Sequence, residues 1–135
     1  MKLTNETIQV LAFFEQLTHA KIKDCFFERE KTVFVVEQGE MSKAIGKNGI
    51  NVKKMEQISK KQIKIVEFNH DVKSFLRNYL MPIKVHEITV QDKVISLKID
   101  GIRERGIIIG RDRSNLEHLK SVVNKYFDIK DIKVV

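Results

Sequence analysis

The sequence predicts an α+β protein built from two like halves, and three observations carry that prediction. Helical apolar spacing alternates along the chain with short β-branched and aromatic runs. The order α-β-β-α-loop-α-β occurs twice, at one offset of 64 residues from Gly46 to Gly110. The first half centres on Ala44-Ile45-Gly46-Lys47-Asn48-Gly49-Ile50-Asn51-Val52, a Gly-x-x-Gly loop set between two helical patterns.

The first half opens with a helix from Thr4 to Thr18. Thr4 or Asn5 can cap it, and Glu6 sits in the first turn, where the helix dipole favours an anion. Ile8, Leu11, Phe14 and Leu17 form its apolar face, widened by Val10 and Phe13. Lys21 to Glu28 reads as a strand, Arg29-Glu30-Lys31 as a polar turn, and the β-branched run Thr32 to Glu37 as a second strand. Met41 to Ile45 is a short helix entering the loop. Ile50 to Ser59 is a longer one, with Val52, Met55 and Ile58 on one face. Gln62 to Phe68 is a third strand, with Ile63 and Ile65 pointing one way.

The same order then restarts. Asp71 caps a helix whose apolar positions are Val72, Phe75, Leu76, Tyr79 and Leu80, and Met81-Pro82 ends it. Lys84 to Gln91 and Val94 to Asp100 are strands about a turn at Asp92-Lys93. Arg103 to Ile109 is a short helix and Ser114 to Tyr126 a longer one. Asp131 to Val135 is a last strand. At the common offset Val52, Met55 and Ile58 fall on Leu116, Leu119 and Val122, Val33 and Val35 on Leu97 and Ile99, and Asn51 on Asn115. The boundary lies near Phe68-Asn69-His70-Asp71, giving domains 1–69 and 70–135.

Composition narrows the function. With 42% hydrophobic and 32% charged residues a packed core is feasible. A net charge of +7 favours polyanionic partners, without choosing between nucleic acid and an anionic membrane. The single cysteine, Cys25, excludes an intramolecular disulfide and reads as a buried strand residue. No signal-peptide pattern and no apolar run near the ~20 residues of a membrane span occurs, so a soluble cytoplasmic protein without a membrane partner is expected. His19, His70, His86 and His118 are scattered, no cysteine pair exists, and Ser42, Ser59 and Ser114 sit in no nucleophile motif. The loop is not a P-loop, since no Gly-Lys-Ser/Thr follows. No enzyme, metal, cofactor or small-molecule substrate is expected.

The loop itself suits a nucleic-acid backbone. Two glycines three apart allow a sharp turn and close approach, Lys47 brings charge, and Asn48 offers a donor and an acceptor. A Gly-x-x-Gly loop between two helices, followed by a strand, resembles the KH domain, in which it clamps about four nucleotides of single-stranded backbone. The helix and two strands ahead of the loop resemble the bacterial-type (type II) KH topology. Two in tandem are similar to the short archaeal NusA-like transcription factors. The resemblance implies two type II KH domains, each α-β-β-α-α-β with a three-stranded sheet covered by helices. It implies single-stranded RNA as ligand, RNA polymerase as a partner and a role in transcription elongation or termination.

By this resemblance Ile45, Gly46, Lys47, Asn48 and Gly49 form the RNA site, with Ile45, Val52, Ile63 and Ile65 beside a base-binding groove or simply in the core. Lys43, Lys53 and Lys54 flank the loop and either reach phosphate or lie on a solvated helix face; Lys60, Lys61 and Lys64 lie farther off. The second half departs: its loop is Gly110-Arg111-Asp112-Arg113, so Arg113 replaces the second glycine and Asp112 sets a carboxylate where phosphate would lie. A left-handed backbone at Arg113 would cost about 1–2 kcal/mol. Gly110, Arg111 and Arg113 either contact phosphate through side chains or brace the first domain. Adaptor docking on polymerase or ribosome, and an RNA-processing KH protein, are the alternative readings.

Overall fold

Lys31-Thr-Val-Phe-Val-Val36 is the most β-prone run in the first half, and five of its six residues are buried. It forms β2 (Lys31–Val36), the central strand of a three-stranded sheet ordered β1-β2-β3. β1 (Ile22–Glu28) pairs with it antiparallel across the two-residue turn Arg29-Glu30, and β3 (Gln62–Glu67) pairs with it parallel. The computed structural model describes residues 5–135, which divide into two compact units parting between Asn69 and His70.

In the first unit α1 (Asn5–Thr18), α2 (Met41–Ile45) and α3 (Ile50–Ser59) pack on one sheet face. Each contributes one fully buried core residue: Phe14, Ala44 and Met55 meet Cys25, Phe34 and Val36 of the sheet. The Phe14 ring stacks on Phe34 with centroids 4.0 Å apart and planes at 9°.

The second unit repeats the order with α4 (Val72–Leu80), β4 (Glu87–Gln91), β5 (Val94–Lys98), α5 (Ile102–Ile109), α6 (Ser114–Asn124) and β6 (Asp131–Val134). Its sheet runs β4-β5-β6, with β4 antiparallel and β6 parallel to β5. Asp92 and Lys93 form the hairpin turn, both at positive φ as a two-residue type I′ turn requires. Phe75 of α4 is fully buried, with ring centroids of Tyr79, Tyr126 and Phe127 at 6.0, 5.5 and 5.7 Å.

Several sequence expectations are corrected. Ile8 is 45% exposed; the buried stripe of α1 is Thr7, Phe14 and Thr18, with Val10, Leu11 and Leu17 partly buried. Thr18 tolerates this because its hydroxyl donates to the Phe14 carbonyl at 2.9 Å. Ile58 is 61% exposed, because only Met55 of the expected α3 face reaches the core interior. Asn5 already lies inside α1, and Thr4 lies outside the described residues. β4 begins at Glu87 rather than Lys84, since the Val85 carbonyl is taken by the Arg77 guanidinium at 2.6 Å instead of by the sheet. α6 ends at Asn124, so Tyr126 follows the helix. Cys25 is buried as expected. Among the described residues no helix is long and apolar enough to cross a membrane, and no group of three or more His, Cys, Asp or Glu could hold a metal ion.

Asp71 caps α4 as the sequence predicts, accepting from the Ser74 hydroxyl at 2.9 Å and the Ser74 N–H at 3.3 Å. The Ser74 hydroxyl above all, then the N–H groups of Ser74 and Lys73, hold its carboxyl below the ordinary value of 3.8. A folded pKa below the unfolded one contributes stability that is present above the unfolded pKa and lost as pH falls through the folded pKa. Urea unfolding should therefore show Asp71→Ala less stable than wild type near neutral pH. The gap should narrow as the pH is taken below the carboxylate range.

Candidate nucleic-acid interface

The Gly46–Gly49 loop is the elbow between α2 and α3. α2 ends when the Gly46 N–H donates to the Ser42 carbonyl at 3.0 Å. Gly46 then takes φ 77°, ψ 169°, a region essentially restricted to glycine. Lys47 starts a single tight turn, Asn48 lies at φ 57°, ψ 26°, and Gly49 at φ 71°, ψ 20°. The turn closes through the Gly49 N–H donating to the Gly46 carbonyl at 3.1 Å, and α3 begins at Ile50.

This path leaves donors unspent. Among the described residues the N–H groups of Lys47 and Asn48 donate to no acceptor. No side chain caps α3. Lys47 and Asn48 are exposed, as are Lys53 and Lys54 on the first turns of α3. Lys43 on α2 is exposed too, with only a surface pairing to Glu40 at 3.7 Å, a contact of small energy. Four exposed lysines, Lys43, Lys47, Lys53 and Lys54, thus lie in the loop or on the helices that enter and leave it, and the loop's amides can meet an anion.

The four groove candidates separate. Ile63 and Ile65 lie opposite Thr32 and Phe34 in the register and pack against the core on the helix-facing side of the sheet. Ile45 and Val52, beside the loop, are half-buried. The more distant lysines have structural work. Lys60 ends α3 in a left-handed conformation, and Lys61 sits 4.2 Å from the Phe27 ring centre and 3.3 Å from Glu6. Burial pushes the Lys64 ammonium's pKa down, against a raising effect of Glu28.

The second unit reproduces the elbow closely. Gly110 lies at φ 73°, ψ 174°, Asp112 at φ 54°, ψ 31°, and Arg113 at φ 64°, ψ 19°. The Arg113 N–H donates to the Gly110 carbonyl at 3.2 Å, and the N–H groups of Arg111 and Asp112 donate to no acceptor among the described residues. Arg113 therefore occupies the left-handed conformation that Gly49 takes in the first loop. The surroundings differ. At the positions of Lys43, Lys53 and Lys54 stand Ile107, Glu117 and His118, and Ile107 is 49% exposed. Arg103 and Arg105 are exposed and make no ion pair among the described residues. Nearby, Asp131 is held below the usual carboxylate range by the Ile132 N–H first, then by Lys120, with Arg113 adding to the effect.

Two residues beside the loop carry little signal in the sequence. Ile50, the first residue of α3, is 47% exposed beside Gly46, although its apolar character suggests core. Asn51 donates its side-chain amide to the Lys43 carbonyl at 2.9 Å, fastening α3 to α2 across the elbow. Its only signal in the sequence was its match to Asn115.

The family model of the NusA-like second KH domain matches residues 13–71. Over its whole length the chain is 33% identical to the probable transcription termination protein NusA of Methanocaldococcus jannaschii, covering 75% of that protein. It is 31% identical to the protein of the same name from Halococcus morrhuae, over 98% of this chain and 96% of that one. The crystal structure of APE1850 superposes with a TM-score of 0.74 at 22% identity, over 98% of this chain and all of that one, a likeness of fold.

Gly46 is doubly constrained. A Cβ built on it would lie 2.7 Å from Asn51 Nδ2 and 3.0 Å from Ile50 Cγ2, and the Asn51 amide is pinned by its bond to Lys43. Gly46→Ala should lower stability by about 1–3 kcal/mol, measured by urea unfolding. Gly49→Ala, with no atom within 4 Å of its built Cβ, should meet only the left-handed penalty of about 1–2 kcal/mol.

Proposed function

The chain belongs to the archaeal NusA-like family, and on that premise we propose that it is an RNA-binding transcription factor acting in elongation or termination. Residues 1–69 and 70–135 are then two tandem type II KH domains, and the fold of each unit is of KH type. The single observation that carries the reading is the Gly46–Gly49 loop, whose Lys47 and Asn48 are exposed with unspent amides and whose flanking helices carry Lys43, Lys53 and Lys54 exposed.

The proposed mechanism is binding without chemistry. The backbone of a single RNA strand lies along the loop, where Gly46 and Gly49 add no side chain to keep it away. Main-chain N–H groups and the Asn48 amide donate to phosphate oxygens. The lysines release counterions, which gives affinity without reading sequence. Bases turn toward Ile45 and Val52 beside the loop. Ile63 and Ile65 support that wall from the core. In the second unit Gly110, Arg111 and Arg113 offer a weaker version of the same grip, opposed by Asp112 and Glu117. The cytoplasm is where such a factor meets nascent RNA.

Fluorescence anisotropy with a short single-stranded RNA tests this. If four lysines each neutralise one phosphate, log Kd should change with log salt by a slope of about 3. Gly46→Asp with Gly49→Asp should abolish binding while circular dichroism shows the fold retained. Unaltered binding by that double variant would remove the loop from the mechanism.

The second loop favours one further reading. It keeps the shape of the first but is bordered by Ile107, Asp112 and Glu117, a surface better matched to protein than to phosphate. The second unit then docks on RNA polymerase. Retention of purified archaeal RNA polymerase by the immobilised chain should survive nuclease treatment and be lost with Ile107→Asp; nuclease-sensitive retention would count against docking.

A further inference from the structure

We propose that Asn51, with its counterpart Asn115, is the positioning residue that sets the shape of the loop, and that the second glycine of Gly-x-x-Gly is not. The inference deepens the RNA-binding reading and rests on it for its functional consequence.

Two independent copies of the elbow exist in this chain. They share almost no side chains: Lys47, Asn48 and Gly49 are answered by Arg111, Asp112 and Arg113. Their backbone angles nevertheless agree at the first, third and fourth loop positions, within about 5–7° in φ and ψ. What both copies keep is the Ile-Gly pair that opens the loop, Ile45-Gly46 and Ile109-Gly110, and the asparagine five residues after the glycine; of these side chains only the asparagine bonds across the elbow. Asn115 donates its amide to the Ile107 carbonyl at 2.8 Å, as Asn51 does to Lys43 at 2.9 Å. Each bond joins the first turn of the outgoing helix to a carbonyl in the last turns of the incoming one.

The asparagine and the first glycine form one unit. A Cβ on Gly110 would lie 2.6 Å from Asn115 Cγ and 2.7 Å from its Nδ2, matching the 2.9 and 2.7 Å found for Gly46 and Asn51. The carboxamide fills the space that the missing Cβ leaves, and from there reaches the carbonyl beyond. A helix-ending carbonyl with no intrahelical partner receives its donor this way. Removing the amide frees the two helix ends to shift relative to one another. The unspent N–H groups at Lys47 and Asn48 would then no longer converge on one anion.

The second glycine has no comparable partner. Nothing lies within 4 Å of a Cβ built on Gly49, and its angles, φ 71° and ψ 20°, are those Arg113 adopts at φ 64° and ψ 19°. The left-handed penalty of a side chain there is met by the rest of the elbow, as the second unit demonstrates.

The test uses the full 135-residue chain, labelled with ¹⁵N, in three variants: Asn51→Ala, Gly49→Arg and Asn115→Ala. Amide shifts and hydrogen exchange report loop shape, and anisotropy with a short oligouridylate reports function. Asn51→Ala should shift the amides of Gly46 to Gly49, speed exchange at the Gly49 N–H, and weaken RNA binding by about tenfold, while β2 amides stay protected. Asn115→Ala should do the same to the Gly110–Arg113 amides, and it decides the proposal should Asn51→Ala fail to fold. Gly49→Arg should keep the remaining loop amides in place; it is read by amide shifts and exchange alone, because Gly49 itself belongs to the proposed RNA site. Wild-type loop amides in both asparagine variants would overturn the proposal, and so would a Gly49→Arg chain that folds with its loop rearranged. If wild type itself binds no RNA, the RNA reading falls, and the amides alone still decide the role of the asparagines.

Discussion

β2 and β3 run parallel, and much of the rest follows from that. Antiparallel neighbours can be joined by a two-residue turn, as β1 and β2 are, but parallel neighbours need a crossover that carries the chain back to the starting edge. Here the crossover is made of two short helices rather than one long one. Both must lie on the sheet face already occupied by α1, because Ala44 and Met55 join Phe14 in a single core around Phe34. Two helices in one crossover need an elbow. The elbow must turn sharply, so it falls at Gly46, in a conformation that side-chain-bearing residues avoid. β5 and β6 impose the same demand in the second unit, and Gly110 answers it in the same conformation.

An elbow of this kind is exposed by construction. It stands where the helices part, its inner side is filled by an asparagine, and its outer side presents amides that the helices do not use. Shape and charge are therefore separable. The two loops share a backbone, yet the first and its flanking helices carry four lysines, while an isoleucine, two arginines and two acidic residues stand at the second. The same backbone thus carries a basic surface in one unit and one of mixed charge in the other.

Most of the fold was legible before any coordinates. The β-branched run at Thr32–Val36, the cap at Asp71, the Asp92-Lys93 turn and the twofold order of elements each carry a local physical signal that survives in the structure. Two of the corrected positions share one cause. Ile8 and Ile58 read as core residues in the sequence yet are exposed, because apolar spacing cannot tell which of two adjacent helical stripes faces the sheet. Thr7 and Thr18 won the α1 interface because a threonine hydroxyl can be satisfied by its own helix while its methyl packs. For the site, the basic residues and the glycines were legible because they are chemically distinctive. Asn51 was not, because a lone asparagine after a turn has many uses, and its partner is a backbone carbonyl that no sequence pattern marks.

The sequence by itself determined the order of elements, the duplication, the place of the two elbows and the excess of positive charge around the first. Each of these is written in local periodicity, in glycine and in side-chain type. Only the tertiary structure decided that Ile63 and Ile65 belong to the core, that Arg113 takes the conformation of a glycine, and that Asn51 and Asn115 bind the helices across their elbows. Those outcomes depend on which backbone atoms are brought within hydrogen-bonding distance when two helices fold back onto one sheet, and that distance does not exist in the unfolded chain.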